Sequence, residues 1–362
     1  MRVIHVAPTE FGADGLFGGG ERYPLELCRA LARHVECRLV TFGSTARRFT
    51  EEGGLERVVL CPGLFARGHP AHPVGGGLLR ATAGATIVHL HQMRSAPARL
   101  GALAAVARRQ RRVVTDHGLG GGGWGGLLPR LFDRFACVSR YSAAVMRAPA
   151  AKTHVIYGGA DAGTYAPGKE PRSGILFVGR VTPHKGIDKL IAALPPGAGL
   201  TVCGTSGHDK RAPEKTYPEV LRKLARGRDV RFLQRVSDAE LPGLYRRAAV
   251  FVLPSVEHTC FGRRIEISEL LGLSLLEAMA SATPVVCSRV GGLSEVVTNG
   301  ETGFVTEPGD VAALRDRIMT LLHDARLARR MGEAGRRRVL EEFTWERCAE
   351  RCLDVYAELE AL

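Results

Sequence analysis

The sequence lacks several features that mark whole classes of protein. No apolar run approaches the roughly 18–20 residues that a membrane-spanning helix needs, and no charged segment with an apolar core and cleavage site opens the chain. The nine cysteines are scattered without a Cys-x-x-Cys pair, and no Gly-Lys-Ser/Thr of the Walker type occurs. We therefore expect a reduced, cytoplasmic protein without a structural metal.

Aromatic residues are scarce, at 6% of the chain, whereas basic residues are abundant. Lys and Arg number 50 against 37 Asp and Glu, and residues 1–165 hold 21 basic and 11 acidic side chains. This excess implies an anionic partner. Nucleic acid is not expected, because no recognition motif accompanies the charge and the basic residues do not interleave with aromatic ones. Anionic lipid head groups or an anionic acceptor molecule remain as partners of the first part of the chain.

A helix predicted over residues 97–112 is the best candidate for such a surface. Its arginines could contact the inner face of a membrane, or they could form a solvated helix face. The residues leave both alternatives open. The arginines in question are Arg99, Arg108, Arg109, Arg111 and Arg112.

Short β-branched runs alternate with longer helical patterns, which predicts an α/β fold with parallel sheets. The pattern stops and restarts across residues 158–173, a polar stretch rich in glycine and proline. We therefore predict two doubly wound domains, residues 1–165 and 166–362, with a final helix over 345–362. The predicted strands cover residues 2–6, 37–42, 86–90, 112–115, 135–138, 154–157, 174–179, 200–203, 230–233, 250–254 and 284–287.

Three consecutive glycines, Gly18 to Gly20, precede a helical pattern after the first predicted strand. Glycine lets the backbone approach a ligand closely, and free N–H groups at a helix start attract anions. The stretch is not the dinucleotide fingerprint, because Tyr23 stands where the third glycine belongs. An anion site and a simple turn are both compatible with it.

Two cations follow a strand of the second half. Arg180 and Lys185 lie between a strand that ends at Gly179 and the start of a helix. They should therefore lie at the carboxyl edge of the sheet, where open α/β sheets bind ligands. A guanidinium and an ammonium at this edge suit a diphosphate, although solvated loop charges would look the same.

Two carboxylates, Glu269 and Glu277, are separated by seven residues around the start of another helical pattern. Between them, Gly272 permits close backbone approach, so the N–H groups of Gly272 and Leu273 could meet a phosphate. Glu277 stands in an otherwise apolar helix, where burial would be expensive without a hydroxyl partner. Paired carboxylates could also serve a hydrolase, but that reading leaves the nearby cations unexplained.

Two further polar residues, His89 and His91, point to the same side of a predicted strand because strand side chains alternate. A metal site, a substrate contact and a structural role are all possible for them, and a third metal ligand is not evident.

Taken in order, these motifs resemble the retaining, nucleotide-sugar-dependent glycosyltransferases of family four, which have the GT-B fold of two facing Rossmann-like domains. The resemblance covers nearly the whole chain. Besides the glycine loop and the Glu-(seven residues)-Glu pattern, it rests on Thr115-Asp116-His117, Gly158-Gly159-Ala160-Asp161, Gly179-Arg180…Lys185-Gly186, Phe232-Leu233-Gln234-Arg235-Val236 and Thr283-Pro284-Val285-Val286.

The resemblance implies a role for each matching residue. It gives the donor diphosphate to Arg180 and Lys185, with backbone N–H groups from the glycine loop (Gly18, Gly19) and from Gly272 and Leu273. It also implies that Glu277 binds the ribose hydroxyls, that Glu269 and His117 bind the transferred sugar, and that Val236 lies beside the base. It further implies a final helix that packs on the first domain, no cofactor beyond the donor, and same-face substitution without a metal. The acceptor would be a small molecule, a glycan or a lipid-linked molecule.

Departures from the family pattern leave the donor's base and sugar undefined. Gly158 replaces the usual Asn, Gln234 replaces a common Gly, and residues 256–268 are longer than the compact pattern. The long segment carries Arg263, Arg264 and Glu266, and we expect it either to help choose the sugar or to be a solvated loop. Nucleotide-sugar epimerases share the architecture and stand as the alternative function.

Overall fold

The computed structural model describes residues 1–12, 18–69, 71–118, 123–206, 214–234 and 236–361. The chain divides into two compact units. The first unit combines Met1–Gly158 with Trp345–Leu362, and the second unit is Gly159–Thr344. The division thus falls before Gly159, whereas the sequence predicted it after residue 165.

The first unit is built on one large sheet and a short two-stranded ribbon. Its strands are β1 (Arg2–Val6), β2 (Glu36–Phe42), β3 (Arg47–Thr50), β4 (Glu56–Leu60), β5 (Leu64–Phe65), β6 (Pro73–Val74), β7 (Ile87–His91), β8 (Arg111–Thr115), β9 (Arg134–Cys137) and β10 (Thr153–Val155). The large sheet has the order β10-β9-β8-β7-β1-β2-β4-β3, and β5 pairs with β6. All of its pairs are parallel except that of β3 with β4. The chain runs outward in one direction from β1 and in the other from β7, so the order reverses between these two strands.

Helices cover the first sheet. They are α1 (Gly19–Leu31), α2 (Leu78–Ala81), α3 (Ala96–Ala107), α4 (Arg140–Met146) and α12 (Trp345–Glu360). α12 packs against α1 and buries Trp345, Cys348, Cys352 and Tyr356. The i, i+3, i+4 spacing of these residues predicted a buried face.

The second unit repeats the same plan. Its strands are β11 (Ser173–Val178), β12 (Leu200–Cys203), β13 (Val230–Leu233), β14 (Ala248–Leu253), β15 (Val285–Ser288) and β16 (Phe304–Thr306). The sheet order is β13-β12-β11-β14-β15-β16, and every pair is parallel. Here the order reverses between β11 and β14.

The helices of the second unit flank this sheet. They are α5 (Ile187–Ala193), α6 (Tyr217–Leu224), α7 (Leu241–Arg247), α8 (Leu273–Ala280), α9 (Leu293–Val296), α10 (Val311–His323) and α11 (Ala325–Glu342). The sheet core is apolar and β-branched, as parallel strands covered on both faces require. β14 is typical, with Val250, Phe251 and Val252 at 0% exposure.

The predicted helix over 97–112 is wrong at its carboxyl end. α3 ends at Ala107, and Arg109 has a φ of 56°, which a continuing helix cannot adopt. Arg111 and Arg112 lie in β8, where Arg112 donates to Asp133 Oδ1 at 2.7 Å. These two arginines therefore do not belong to the exposed helix face. No helix among the described residues is long and apolar enough to cross a membrane.

Candidate functional site

The reversal of strand order in the second sheet brings two loops together. Because all its strands are parallel, their carboxyl ends share one edge, and ligands of open α/β sheets bind where the order reverses. Here that point lies between β11 and β14. The loop after β11 contacts the segment after β14 directly, since the Val256 N–H donates to the His184 carbonyl oxygen at 2.9 Å.

Gly186 makes this close approach possible. Its φ of 66° lies in the left-handed region, and a Cβ at this position would overlap the carbonyl oxygen of Pro254. Only glycine avoids both the strain and the clash. The glycine therefore fixes where the preceding lysine is placed.

A buried ion pair occupies this edge. The Lys185 ammonium donates to Glu269 Oε1, and the Ser255 hydroxyl donates to the same oxygen at 2.7 Å. The side chains of Lys185 and Glu269 are 14% and 8% exposed. Burial alone would raise the pKa of Glu269, but the Lys185 charge and the hydrogen bonds from Lys185 and Ser255 lower it to about 2. The carboxylate is therefore ionised although it is buried.

Arg180 and His184 lie in the same loop as Lys185. Arg180 is exposed at the end of β11. Burial lowers the pKa of His184 to about 3, and the charges of Lys185, Arg180 and Arg263 add to that effect. Cations from the loop and from the segment after β14 thus act on one imidazole, which shows that this edge carries a concentration of positive charge.

The helix α8 begins at the same edge and holds Glu277. Gly272 is its N-cap with a φ of 92°, Leu273 is its first residue, and the cap has no side-chain hydrogen bond. The Tyr245 hydroxyl donates to Glu277 Oε2 at 2.7 Å, and Glu277 is 6% exposed. The hydroxyl partner that the sequence analysis required for this buried carboxylate is therefore supplied by the protein itself.

Residues 256–268 form a compact turn rather than an extended loop. Thr259 and Arg263 pair through the Thr259 N–H and the Arg263 carbonyl oxygen at 2.9 Å, and Ile265 donates to Glu257 at 2.7 Å. The Phe261 ring contacts Tyr217 in an edge-to-face arrangement with centroids 6.3 Å apart. Val236 is half-buried beyond β13, while its neighbour Arg235, part of the motif beside the predicted base, lies outside the described residues.

In the first unit, the glycine loop leads into α1. Gly18 is the N-cap and Gly19 the first helical residue, so two of the three glycines belong to the helix rather than preceding it, and Pro24 lies inside it. A Cβ on Gly20 would come within 3.2 Å of the His117 Cβ. The helix start and His117 are therefore neighbours. The Glu21 carboxylate folds back against Gly18, which places a negative charge beside the expected anion site.

His117 is the outer member of a histidine array, which we define as His5, His89, His91 and His117 together with Tyr356 and Thr115. His89 and His91 stack with centroids 4.8 Å apart and planes at 8°, and His91 stacks on His117 at 5.3 Å and 12°. Burial lowers the pKa of His5 and of His117 to about 3. The imidazoles are therefore neutral near pH 7.

One group with the spacing of metal ligands occurs in the described part of the chain. The ligand atoms of His5, Cys28 and Cys37 lie within 4.8 Å of one another, and all three residues are buried. Both ring nitrogens of His5 already contact the array, and burial raises the pKa of the Cys28 thiol. A neutral Cys28 thiol and an imidazole with both nitrogens occupied fit a packed core better than a metal site.

The structure thus unites some of the predicted residues and adds partners to others. Lys185 and Glu269 are in direct contact, and Gly272 and Leu273 start the helix that carries Glu277. Sequence reasoning missed Tyr245 as a partner of Glu277 and Tyr356 as a member of the array. Tyr245 precedes Glu277 by a whole strand and a long loop, so no local pattern links the two, whereas Ser255 was placed at a strand end and could have been included.

With this geometry described, comparison with known proteins identifies the class. The family described as Glycosyl transferases group 1 matches residues 167–338, and Glycosyltransferase Family 4 matches residues 17–163. A GDP-mannose-dependent alpha-(1-6)-phosphatidylinositol monomannoside mannosyltransferase of Mycolicibacterium smegmatis is 31% identical over 280 residues, which cover 68% of this chain and 70% of that protein. The chain belongs to the group 1 glycosyltransferases, and its fold is GT-B.

Two further comparisons give the range of relatives. Glycogen synthase of Mycobacterium tuberculosis is 36% identical over 220 residues, 57% of this chain. The chain spans about half the length of that relative, at 48%. The structure of Anabaena HepE in complex with UDP-glucose has a TM-score of 0.75 at 18% identity and covers 100% of both chains. These findings confirm the family and fold class that the sequence predicted.

Proposed function

We propose that the protein is a retaining glycosyltransferase that moves a sugar from a nucleoside diphosphate to a hydroxyl acceptor. The observation that carries this proposal is the Lys185–Glu269 ion pair, joined by Ser255, at the point where the second sheet reverses its strand order. The pair supplies a cation for a diphosphate and an ionised carboxylate for sugar hydroxyls at one place.

The leaving diphosphate is the group that needs stabilisation during transfer. An ammonium has three N–H donors, so Lys185 can keep its bond to Glu269 and still meet a phosphate oxygen. Arg180 adds a guanidinium in the same loop, and the uncapped start of α8 offers the N–H groups of Gly272 and Leu273. Positive groups aimed at the developing charge lower the barrier without a metal ion.

The two carboxylates would hold the hydroxyls of the donor. Tyr245 occupies one oxygen of Glu277, and a carboxylate has roughly four lone-pair sites, so capacity remains for the ribose. Glu269 is held ionised and can accept from the transferred sugar. In the first unit, His117 is assigned to that same sugar and the N–H groups of Gly18 and Gly19 to the diphosphate. Val236 is assigned to the base.

Retention follows if the acceptor enters on the face that the diphosphate leaves. The sugar–phosphate bond loosens toward an oxocarbenium-like state, and the leaving phosphate takes the acceptor proton. The role of the protein is then to stabilise charge on the diphosphate. An epimerase is not favoured, because the matching families and relatives are described as transferases.

The donor test is a panel of UDP, GDP and ADP in thermal unfolding, since a ligand of the folded state raises Tm. The names of the relatives point to UDP-glucose or GDP-mannose as starting donors. Product analysis with and without an acceptor, in the presence and absence of EDTA, then separates transfer from epimerisation. If no diphosphate raised Tm, the whole proposal would be rejected. If EDTA abolished turnover, the metal-independent part of the proposal would be rejected.

The first unit offers a surface for a lipid-linked acceptor. Leu100, Leu103 and Val106 of α3 are 39–46% exposed and recur every three residues on one side of the helix. Arg99 and Arg108 flank this stripe. Apolar side chains beside arginines favour an anionic membrane surface, which would place the enzyme at the inner face of the membrane.

Sedimentation with vesicles of anionic and of neutral lipid tests this surface at two salt concentrations. Binding should require anionic lipid, weaken at high salt and be lost in Leu103→Gln. Leu224→Gln, at a comparably exposed leucine of the second unit, is the matched control. Binding that ignores lipid charge would contradict the assignment.

A further inference from the structure

The histidine array is a continuous hydrogen-bonded chain through the first unit. His89 bonds Thr115 Oγ1 through Nε2 at 2.8 Å and the Tyr356 hydroxyl through Nδ1 at 2.5 Å. The Tyr356 hydroxyl reaches His5 Nε2 at 3.3 Å. His5 Nδ1 meets His91 Nε2 at 3.0 Å, and His91 Nδ1 meets His117 Nε2 at 3.1 Å. His5, His89 and His91 thus use both ring nitrogens in this hydrogen-bonded chain. His117 uses only Nε2, so its Nδ1 is the imidazole nitrogen of the array that takes no part in the chain.

Proton counting couples the tautomers of the three imidazoles from His5 to His117. A neutral imidazole has one N–H donor and one acceptor nitrogen, so a ring that accepts on one side must donate on the other. The direction of the bond between Tyr356 and His5 therefore sets the direction of both bonds from His5 to His117, which leaves two arrangements for these rings. In one arrangement His117 presents an N–H at Nδ1, and in the other it presents a lone pair there.

The two bonds of Tyr356 distinguish these arrangements. Hydroxyl donors form shorter bonds than N–H donors. The 2.5 Å contact to His89 is therefore the bond that the phenol donates, and the 3.3 Å contact is an N–H···O bond from His5 Nε2. His5 Nδ1 must then accept from His91, and His91 Nδ1 must accept from His117 Nε2.

We propose that the array holds His117 as the Nε2–H tautomer, so that its Nδ1 accepts a hydrogen bond from a hydroxyl of the transferred sugar. Tyr356 and His91 are positioning residues that act through His117. The inference rests on the proposed function, which assigns the sugar to His117. It also adds a rule of selectivity: a ligand group that offers only acceptor atoms at this place finds no donor and is rejected.

The test uses Tyr356→Phe, which removes one buried hydroxyl and keeps the ring. His89 then loses its donor and His5 loses its acceptor, so nothing selects between the two arrangements. Tyr23→Phe is the matched control, because Tyr23 is equally buried but its hydroxyl bonds the Ile156 carbonyl and Cys348 outside the array. Thr115→Val, at the other end of the hydrogen-bonded chain, removes a bond to His89 Nε2 but keeps both bonds of Tyr356, so it is a second control within the array. The tautomer of the wild-type protein tests the inference even if Tyr356→Phe fails to fold.

The direct readout is the tautomer of His117, measured by ¹⁵N NMR of histidine-labelled protein, with His117→Gln to assign the signal. Wild type, Tyr23→Phe and Thr115→Val should show Nε2–H, and Tyr356→Phe should show a mixture. With a donor established, kcat/KM of Tyr356→Phe should fall about three- to tenfold, the worth of one hydrogen bond, while Tyr23→Phe stays within about twofold.

The NMR experiment needs no turnover, so its failure is distinct from that of the proposed function. A wild-type His117 with its proton on Nδ1, or a tautomer that is unchanged in Tyr356→Phe, would overturn the inference. A shifted tautomer without transfer from any donor would support the array and reject the function. A shifted tautomer with unchanged kcat/KM would contradict the assigned sugar contact.

Discussion

The two units reverse their strand order at comparable edges, yet they treat buried titratable groups in opposite ways. At the edge of the second unit, Lys185 and Glu269 keep their charges because each is the other's counter-ion. At the edge of the first unit, three buried histidines and the half-buried His117 have no carboxylate in the array, and removal from water keeps them neutral. Burial therefore does not decide ionisation alone; the presence of a partner of opposite charge does.

The largest expected effect on the unfolding free energy comes from removing one member of the Lys185–Glu269 ion pair. Lys185→Met leaves a buried carboxylate without its cation and should cost about 3–5 kcal/mol of unfolding free energy. The double variant Lys185→Met with Glu269→Gln should recover most of that loss. Urea unfolding measures both, with Lys189→Met on the neighbouring α5 as control. A single-variant cost near that of the control would contradict a buried, charged pair.

Arg180 tests the same edge without disturbing its packing. Because Arg180 is exposed, Arg180→Ala should leave the unfolding free energy unchanged and lower turnover by about 10²–10³, the usual effect of losing one group that stabilises transition-state charge. Arg231→Ala, an exposed arginine of β13, is the control. Near-normal turnover would remove Arg180 from the site.

Acid should sharpen the comparison, because the first edge holds four histidines with a lowered pKa, whereas at the second edge His184 is joined by a carboxylate that titrates at lower pH. The pKa of His5 and of His117 is lowered to about 3, below the unfolded value near 6.5. The unfolded chain therefore binds protons first, and stability falls as pH drops below about 6.5, by up to about 1.4 kcal/mol per pH unit for each histidine. Glu269, with its pKa lowered to about 2, loses its contribution only below about pH 4.5. His184 is the histidine at the second edge that behaves like the array.

Tryptophan fluorescence reports this difference, because both tryptophans, Trp124 and Trp345, belong to the first unit. The urea midpoint followed by fluorescence should fall between pH 7.5 and 5.5, and the far-UV signal of the whole chain should fall less. An unchanged fluorescence midpoint over this range would show that the array is not buried in its neutral form.

The smallest effect is expected at Gly20, one of two glycines that set the spacing at these edges. Gly20→Ala places a Cβ 3.2 Å from His117, a contact that a slight shift relieves, so stability should change by less than about 1 kcal/mol. Gly186→Ala should cost more, because its Cβ would meet backbone. Gly197→Ala, with a φ of 76° and nothing within 4 Å, measures the conformational strain alone. Equal costs at Gly186 and Gly197 would contradict the close approach to Pro254.

The sequence predicted elements where a local pattern was sufficient. Three predicted strands, now β1, β12 and β13, have the bounds that the structure gives, because a short apolar run between turn residues defines each one. β3 was missed, since Arg47–Thr50 is exposed throughout and pairs antiparallel at the sheet edge. Arg111 was assigned to a helix because the arginine run continues past Ala107, where the helix stops.

In the candidate site, too, only the features that have a local pattern could be predicted from the sequence. Glycines at strand ends and the Arg180-to-Lys185 loop carry local signals, so their placement at a sheet edge could be predicted. The contact of Lys185 with Glu269 depends on which strands become neighbours, and the bond from Tyr245 to Glu277 depends on how α7 packs against α8. Such contacts are set by tertiary packing, which no short pattern in the sequence encodes.

The discontinuity of the first unit has a consequence for biosynthesis. Tyr356, which completes the array, is translated only after all of residues 159–344. At ~5–20 residues per second, the ribosome needs roughly 10–40 s to synthesise that stretch. During this delay the nascent first unit has no α12 over α1 and no Tyr356 hydroxyl for His5 Nε2 and His89 Nδ1, while the later unit emerges and can fold. The part of the chain that is made first is therefore the last to be finished.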